Sequence, residues 1–282
     1  MQLALYALPV AFLLLLALEQ AFPLRKPKRP LLRRLVVNGC VAALALTAAA
    51  ILVRPVASAL LGRAPELGLL SMVAMPQSAR WIIGFLLLDI SFYYWHRANH
   101  VSRFLWRFHN AHHIDPDLDV STAYRFHFVE IGLSAGFRAV QIVLIGGSAW
   151  VFVVYELVFQ LNTLFQHSNV RLPIAAERWL SLILVTPRMH GIHHSQVREE
   201  NNSNWSSVFS CWDRLHGTLC LNIPQSQVEI GIAGYSLPED NQVKNIFVMP
   251  FRRQRDYWRS PSGTNAVRPS APDPASRSHM AQ

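Results

Sequence analysis

The chain has 282 residues, 51% of them hydrophobic and only 15% charged, a balance that departs from that of ordinary water-soluble domains. The formal net charge of +9 lies beside apolar runs and in the C-terminal tail, with no basic, aromatic-interleaved motif. Nucleic acid is therefore excluded as a partner, and attachment to anionic lipid is the expectation. The three cysteines, Cys40, Cys211 and Cys220, have neither the number nor the spacing of a disulfide framework or a zinc knuckle. Cys40 is expected in lipid or a helix and the other two in the core.

In chain order, Leu3 to Leu18 form an apolar run that lacks the basic flank and the small-residue cleavage site of a signal peptide, so it reads as a retained first span. The cluster Arg25-Lys26-Pro27-Lys28-Arg29-Pro30, with Arg33 and Arg34, is too costly to move across a bilayer and predicts a cytoplasmic anchor, with the N-terminus outside. Leu35 to Val53 return through the membrane, and residues 54–79 read as a Pro-containing connection with weak amphipathic character. A third run, WIIGFLLLDISFYYW from Trp81, leads straight into the first histidines. At ~1.5 Å per residue it reaches only part way across a ~30 Å core, so the span starts before Trp81 or tilts. Ile131 to Phe165 are apolar but broken at Gly146-Gly147-Ser148, which gives two further spans or a re-entrant hairpin. From Arg171 to about Phe251 the pattern is that of a cap of short helices, and the Arg-, Ser- and Pro-rich tail from Arg252 is predicted to be disordered. The fold expected is all-α: a polytopic membrane helical bundle of about three spans plus the hairpin, with a cytoplasmic histidine-rich helical cap. Its divisions are residues 1–79, 80–251 and 252–282.

Eleven of the twelve histidines lie between His96 and His216. Eight form three tight groups: HRANH (His96, His100), HNAHH (His109, His112, His113) and HGIHH (His190, His193, His194). Side chains at i, i+3 and i+4 converge on one helix face, so each group can offer two or three imidazoles to a metal. Iron, copper, zinc and nickel all accept imidazole. Eight histidines exceed the needs of one ion and suit two, and no cysteine set of a structural zinc site is present. A lone histidine on an apolar helix is more often packed than ligating; three groups on one membrane face reverse that balance. The rivals are a metal transporter or sensor and a di-haem cytochrome. The transporter predicts ionisable residues along several spans, whereas only Asp89 and Arg138 interrupt the apolar runs.

The strings DISFYYWHRANH, LWRFHNAHH, STAYRFHFVE, FQHSN, TPRMHGIHHS and WDRLHGT, in that order, resemble successive motifs of the fatty acid hydroxylase / sterol desaturase superfamily over roughly residues 80 to 220. The resemblance implies two Fe ions as a di-iron centre, O2 as co-substrate, and hydroxylation or desaturation of a lipid C–H bond. Carried over by position, it marks as metal ligands His96, His100, His109, His112, His113, His190, His193 and His194, with His167 in FQHSN. It also marks His127, although Phe128 stands where the family string usually has proline; Glu130 keeps the nearby acid. Asp89, Glu130, Asn169, Asp213 and Arg214 are candidates to hydrogen-bond the outer ring nitrogens and orient the ligands, Asp89 being the sharpest because a carboxylate within an apolar span is expensive. His216 and His279 are read as non-ligands, and Phe92 to Trp95 as an interfacial aromatic belt. No Gly-rich dinucleotide fingerprint and no CxxCH occur, so electrons are expected from an external reductase, cytochrome or ferredoxin. The expected setting is an integral, multi-pass protein of the plasma (inner) membrane or endoplasmic reticulum with its histidines on the cytoplasmic face.

Overall fold

The computed structural model describes residues 2–268; His279 and the rest of the tail beyond them lie outside the described residues. Among these residues the chain is helical, with four isolated bridges and no paired strands. Helix α1 spans Gln2–Ala21, and α2 runs from Leu31 to Leu61, eight residues beyond the Val53 limit read from sequence. Pro55 should end it, because proline removes a donor and clashes with the carbonyl four residues back. The turn ahead of it, Ala49–Val53, instead widens to π register, with the Arg54 N–H bonded to the Ala49 carbonyl, so the helix passes the proline unbroken.

Helix α3, Gln77–Val101, begins before Trp81 and at ~1.5 Å per residue is about 37 Å long. Ser102 ends it and caps α4, Arg103–His113, by accepting from the Leu105 N–H. The apolar stretch after Ile131 is a hairpin of α5, Phe128–Ile145, and α6, Ala149–His167. Its turn needs glycine. Gly146 has φ 68°, and a Cβ there would stand 1.6 Å from the Leu67 carbonyl oxygen. Short helices follow: α7, Ile174–Leu180, α8, Pro187–His193, and α9, Cys211–His216.

Two of these helices, α2 and α5, are long and apolar enough to cross a membrane, and α1 carries a shorter apolar stretch, Tyr6–Ala21. Helices α3 and α6, also expected as spans, carry polar residues: Asp89 and the two histidines on α3, Glu156, Gln160 and Asn162 on α6. Large apolar side chains point outward along the bundle, among them Leu13, Val36, Leu46, Ile51, Ile82 and Leu144, while histidines, Asp89 and Asn38 are turned inward. That inversion of the soluble pattern suits a lipid surround. The FYYW segment is only partly the interfacial belt expected: Phe92 and Tyr93 are buried, and Trp95 stacks on Phe137 of α5.

Three further expectations are corrected. The basic segment after α1 is folded against acids of the cap. Arg29 pairs with Asp115 and Asp117, Arg34 with Asp119, and Lys28 with Glu229. Carboxylates eighty or more residues away in the chain thus neutralise Lys28, Arg29 and Arg34, the part of the cluster that faces the cap. The same contacts, with Asn38 bonded to Asp115 and Ser121, lock residues 1–79 into the unit that begins at 80. Residues 252–268, placed in a disordered tail, are packed: Trp258 stacks near Trp106, and Arg268 forms a two-pronged pair with Glu200. Finally, Cys211 is exposed rather than in the core.

Candidate metal centre

The three histidine groups come together because their helices end at one place. The last two turns of α3 bring His96 and His100, the C-terminal half of α4 brings His109, His112 and His113, and α6 terminates on His167. Helix α8 carries His190 and His193, with His194 at its C-cap. Eight of these nine imidazoles sort into two tetrads, His96–His100–His113–His193 and His112–His167–His190–His194, within each of which the ligating atoms lie no more than 4.8 Å apart. His167 is in the second tetrad. Neighbours in sequence separate: His112 and His113 point into different tetrads, as ~100° per residue on a helix requires.

Backbone carbonyls fix the tautomers. The Nδ1 of His96 lies 2.9 Å from the Trp205 carbonyl oxygen, that of His193 2.8 Å from Ser203, that of His167 2.7 Å from Thr163, and that of His112 3.3 Å from Arg125. A carbonyl can only accept, so each Nδ1 carries the proton and each Nε2 presents a lone pair. The Nε2 atoms of His112 and His167 nevertheless face each other at 3.0 Å. Two lone pairs at that distance repel unless a cation lies between them. Nitrogens bound to one ion at ~2.1 Å stand ~3.0 Å apart at a right angle, which matches the 2.9–3.1 Å contacts linking His112, His167, His190 and His194. Buried ring nitrogens with no hydrogen-bond partner, among them His193 Nε2 and both nitrogens of His100, point to the same need in the first tetrad. The donor set therefore fits two metal ions.

Electrostatics agree. Burial first, and then neighbouring imidazoles, hold His112, His113, His190 and His194 well below the ordinary histidine range, and burial takes His193 down to about 3. The neutral base, the form that binds metal, is the resident one.

The remaining candidates divide. His109 lies outside the tetrads but beside the first, its Nε2 3.2 Å from His113 Nε2 and its Nδ1 2.8 Å from Glu130. Glu130 is thus the one proposed orienting acid that touches a histidine. His127 is not brought to the others. Its Nδ1 accepts the Val129 N–H as the N-cap of α5, and its Nε2 faces the Phe247 carbonyl. Asp89 binds Trp212, the Phe209 N–H and Tyr155, Asn169 binds the backbone of Arg25, and Arg214 donates to the Ser181 carbonyl; none of the three contacts a ligand. Asp213 acts at one remove, accepting the Trp205 and Ser206 N–H groups and so holding the loop whose Trp205 carbonyl orients His96.

That loop is the part sequence reasoning missed. Ser203 and Trp205 supply carbonyls to two ligands of the first tetrad. Asn204 between them takes φ 52° and pins the loop to α8 through the Met189 carbonyl. The available signal was the run NNSNWSS, since asparagine is among the few residues that tolerate the left-handed region.

Residues 81–218 match the fatty acid hydroxylase family. The chain is 33% identical over 159 residues to an ornithine lipid hydroxylase of Rhizobium tropici, covering 56% of this chain and 47% of that protein. It is 33% identical over 190 residues to alkylglycerol monooxygenase of Homo sapiens, covering 66% and 40% respectively. Over this segment the chain is similar to the fatty acid hydroxylase / sterol desaturase superfamily. A cholesterol 25-hydroxylase of Homo sapiens is a further relative, 26% identical over 137 residues and 48% of each chain. The chain spans about half the length or less of these curated relatives, and no solved structure matches. Both tetrads fall inside the family segment, whereas Arg29, Arg34 and Asn38, which brace the cap, come from outside it.

Proposed function

We propose that this protein is a membrane-bound, O2-dependent lipid hydroxylase whose two tetrads hold a di-iron centre, with His109 as a further ligand beside the first. The observation that carries the reading is the convergence of lone pairs in the second tetrad, where His112 and His167 face each other at 3.0 Å with both outer nitrogens already committed to carbonyls. Iron, when bound there, supplies the activation of O2 that attack on an unactivated C–H bond requires. Hydroxylation is favoured over desaturation because the relatives are named hydroxylases and monooxygenases of lipids.

The protein's own part is to hold and shield. Carbonyls of Trp205, Ser203, Thr163 and Arg125 keep the Nε2 lone pairs aimed inward. Phe126 stacks on His112 with ring centroids 4.5 Å apart and covers that side of the site from water. Glu130 accepts from His109 Nδ1 and so fixes the orientation of that ring. With no dinucleotide-binding motif in the chain, electrons come from a separate reductase, cytochrome or ferredoxin. The substrate is a lipid reached from within an integral, multi-pass bundle, with the histidine cap on the cytoplasmic side.

The test is His112→Ala and His193→Ala in the full chain, with iron per chain measured by plasma mass spectrometry and products sought as a gain of one oxygen in lipid extracts. Loss of iron together with loss of product is expected. Full iron and full turnover in either variant would sink the assignment.

A further inference from the structure

Between the arms of the apolar hairpin lies a polar group that the metal site does not use. Arg138 on α5 pairs with Glu156 on α6, and Gln160 donates to the same carboxylate at 2.8 Å. Gln141 accepts from Arg138 at 3.2 Å and donates to Ser91 of α3 at 2.6 Å. Helix α5 is one of the two helices apolar enough to cross a membrane, so a charged pair on it is expensive and calls for a function.

Its position suggests which. Helices α5 and α6 each pack on α3 and have few contacts with each other, and the pair is a direct polar link between them. The Arg138 guanidinium rests 4.2 Å over the Phe92 ring, which itself lies 4.4 Å from Phe159. One helical turn beyond Phe92 is His96, and two turns beyond Phe159 is His167. The order along the hairpin is polar pair, aromatic layer, histidine tetrads. Glu156 precedes His167 by eleven residues, ~16 Å of helix. Arg138 is nearly covered, its side chain 13% exposed, but Glu156 is 44% exposed and so can be reached from outside the bundle.

We propose that the Arg138–Glu156 pair is the recognition site for a neutral hydrogen-bonding group, a hydroxyl or an amide, carried by the lipid on which the tetrads act. This rests on the hydroxylase reading above. The pair has no net charge and sits among apolar helices, so it offers hydrogen bonds to a neutral group while giving an ionic one no counter-charge. The chain of the bound lipid crosses Phe92 and Phe159 to reach the metals, placing the recognised group roughly 16 Å from the carbon that is oxidised.

The experiment uses the iron-loaded full chain in nanodiscs, with stearyl alcohol and octadecane as matched probes. Wild type is expected to retain stearyl alcohol at least about ten-fold better in native mass spectrometry, because a site built to hydrogen-bond a group rejects the analogue that lacks it. In Glu156→Gln and Arg138→Met that ratio falls toward one while iron per chain stays at the wild-type value. No preference in wild type, or an unchanged ratio in Glu156→Gln, overturns the proposal. Should Arg138→Met fail to fold, the isosteric Glu156→Gln still decides. Binding selectivity without oxidation of any lipid would remove the hydroxylase reading alone, whereas lipid oxidation with unaltered selectivity in the variants would remove this one alone.

Discussion

The two histidine tetrads share α4 and α8, the first completed by α3 and the second by α6, and they are not closed to the same standard. In the second, His112, His167, His190 and His194 are all buried and their Nε2 atoms are linked by contacts of 2.9–3.1 Å. In the first, His96 and His100 are only partly buried, and His100 has no hydrogen-bond partner on either ring nitrogen. The first also has a fifth histidine beside it, His109, tethered to Glu130. The difference points to a rigid, closed site next to a more open one whose ligand set can adjust.

The largest test of that contrast is removal of one ligand from each side. His167→Ala should abolish lipid oxidation and cost about half of the iron, since the closed tetrad has no spare imidazole. His100→Ala should lose less iron, because the first site keeps His109 beside its three remaining tetrad histidines, and plasma mass spectrometry of the two variants side by side reads this directly. Equal losses would remove the distinction between the sites. The next effect is on acid stability of metal-free protein. Histidines held below their usual range in the folded state take up protons only on unfolding, so their stabilisation is full above about pH 6.5. It is lost as pH falls toward the folded values, about 3 for His193. Chelated protein should therefore melt several degrees lower at about pH 5 than at about pH 7.5, and iron should raise the melting temperature at both without removing the difference, because bound histidines also stay unprotonated. A pH-independent melting temperature would mean that these imidazoles are not buried as neutral bases.

How much of this was legible in the sequence follows from range. The groups HRANH, HNAHH and HGIHH announce themselves because helical spacing puts their imidazoles on shared faces, and the hairpin was marked by its glycines. The partition into tetrads was not legible, because it depends on how four helix ends are rotated against one another: His113 joins His96 and His100, while its neighbour His112 joins His167. Nor was the fate of the basic segment. Arg29 and Arg34 read alike whether they meet lipid phosphate or Asp115 and Asp119, and only the packing of α2 on the cap chooses. Carbonyl acceptors such as those of Ser203 and Trp205 leave no mark in side-chain chemistry at all.

Smaller effects test the edge of the first tetrad. Glu130→Ala leaves the outer nitrogen of His109 without its acceptor, and loss of such a partner commonly weakens metal affinity by about 10- to 100-fold. Iron should then be stripped from one site at a lower chelator concentration, with Glu130→Gln intermediate.

His127 supplies the smallest effect and the sharpest control. It is the family-motif histidine nearest Glu130 in sequence, yet its Nδ1 caps α5 through Val129 and its Nε2 faces Phe247. If that is its whole contribution, His127→Ala should keep full iron and lose only a capping interaction, about 1 kcal/mol of stability. Asparagine, which also caps, should recover most of that loss, since the N-cap needs only a side-chain acceptor two or three residues before the first free N–H groups. A loss of iron in His127→Ala that asparagine did not repair would place His127 among the ligands and extend the open site by one more imidazole.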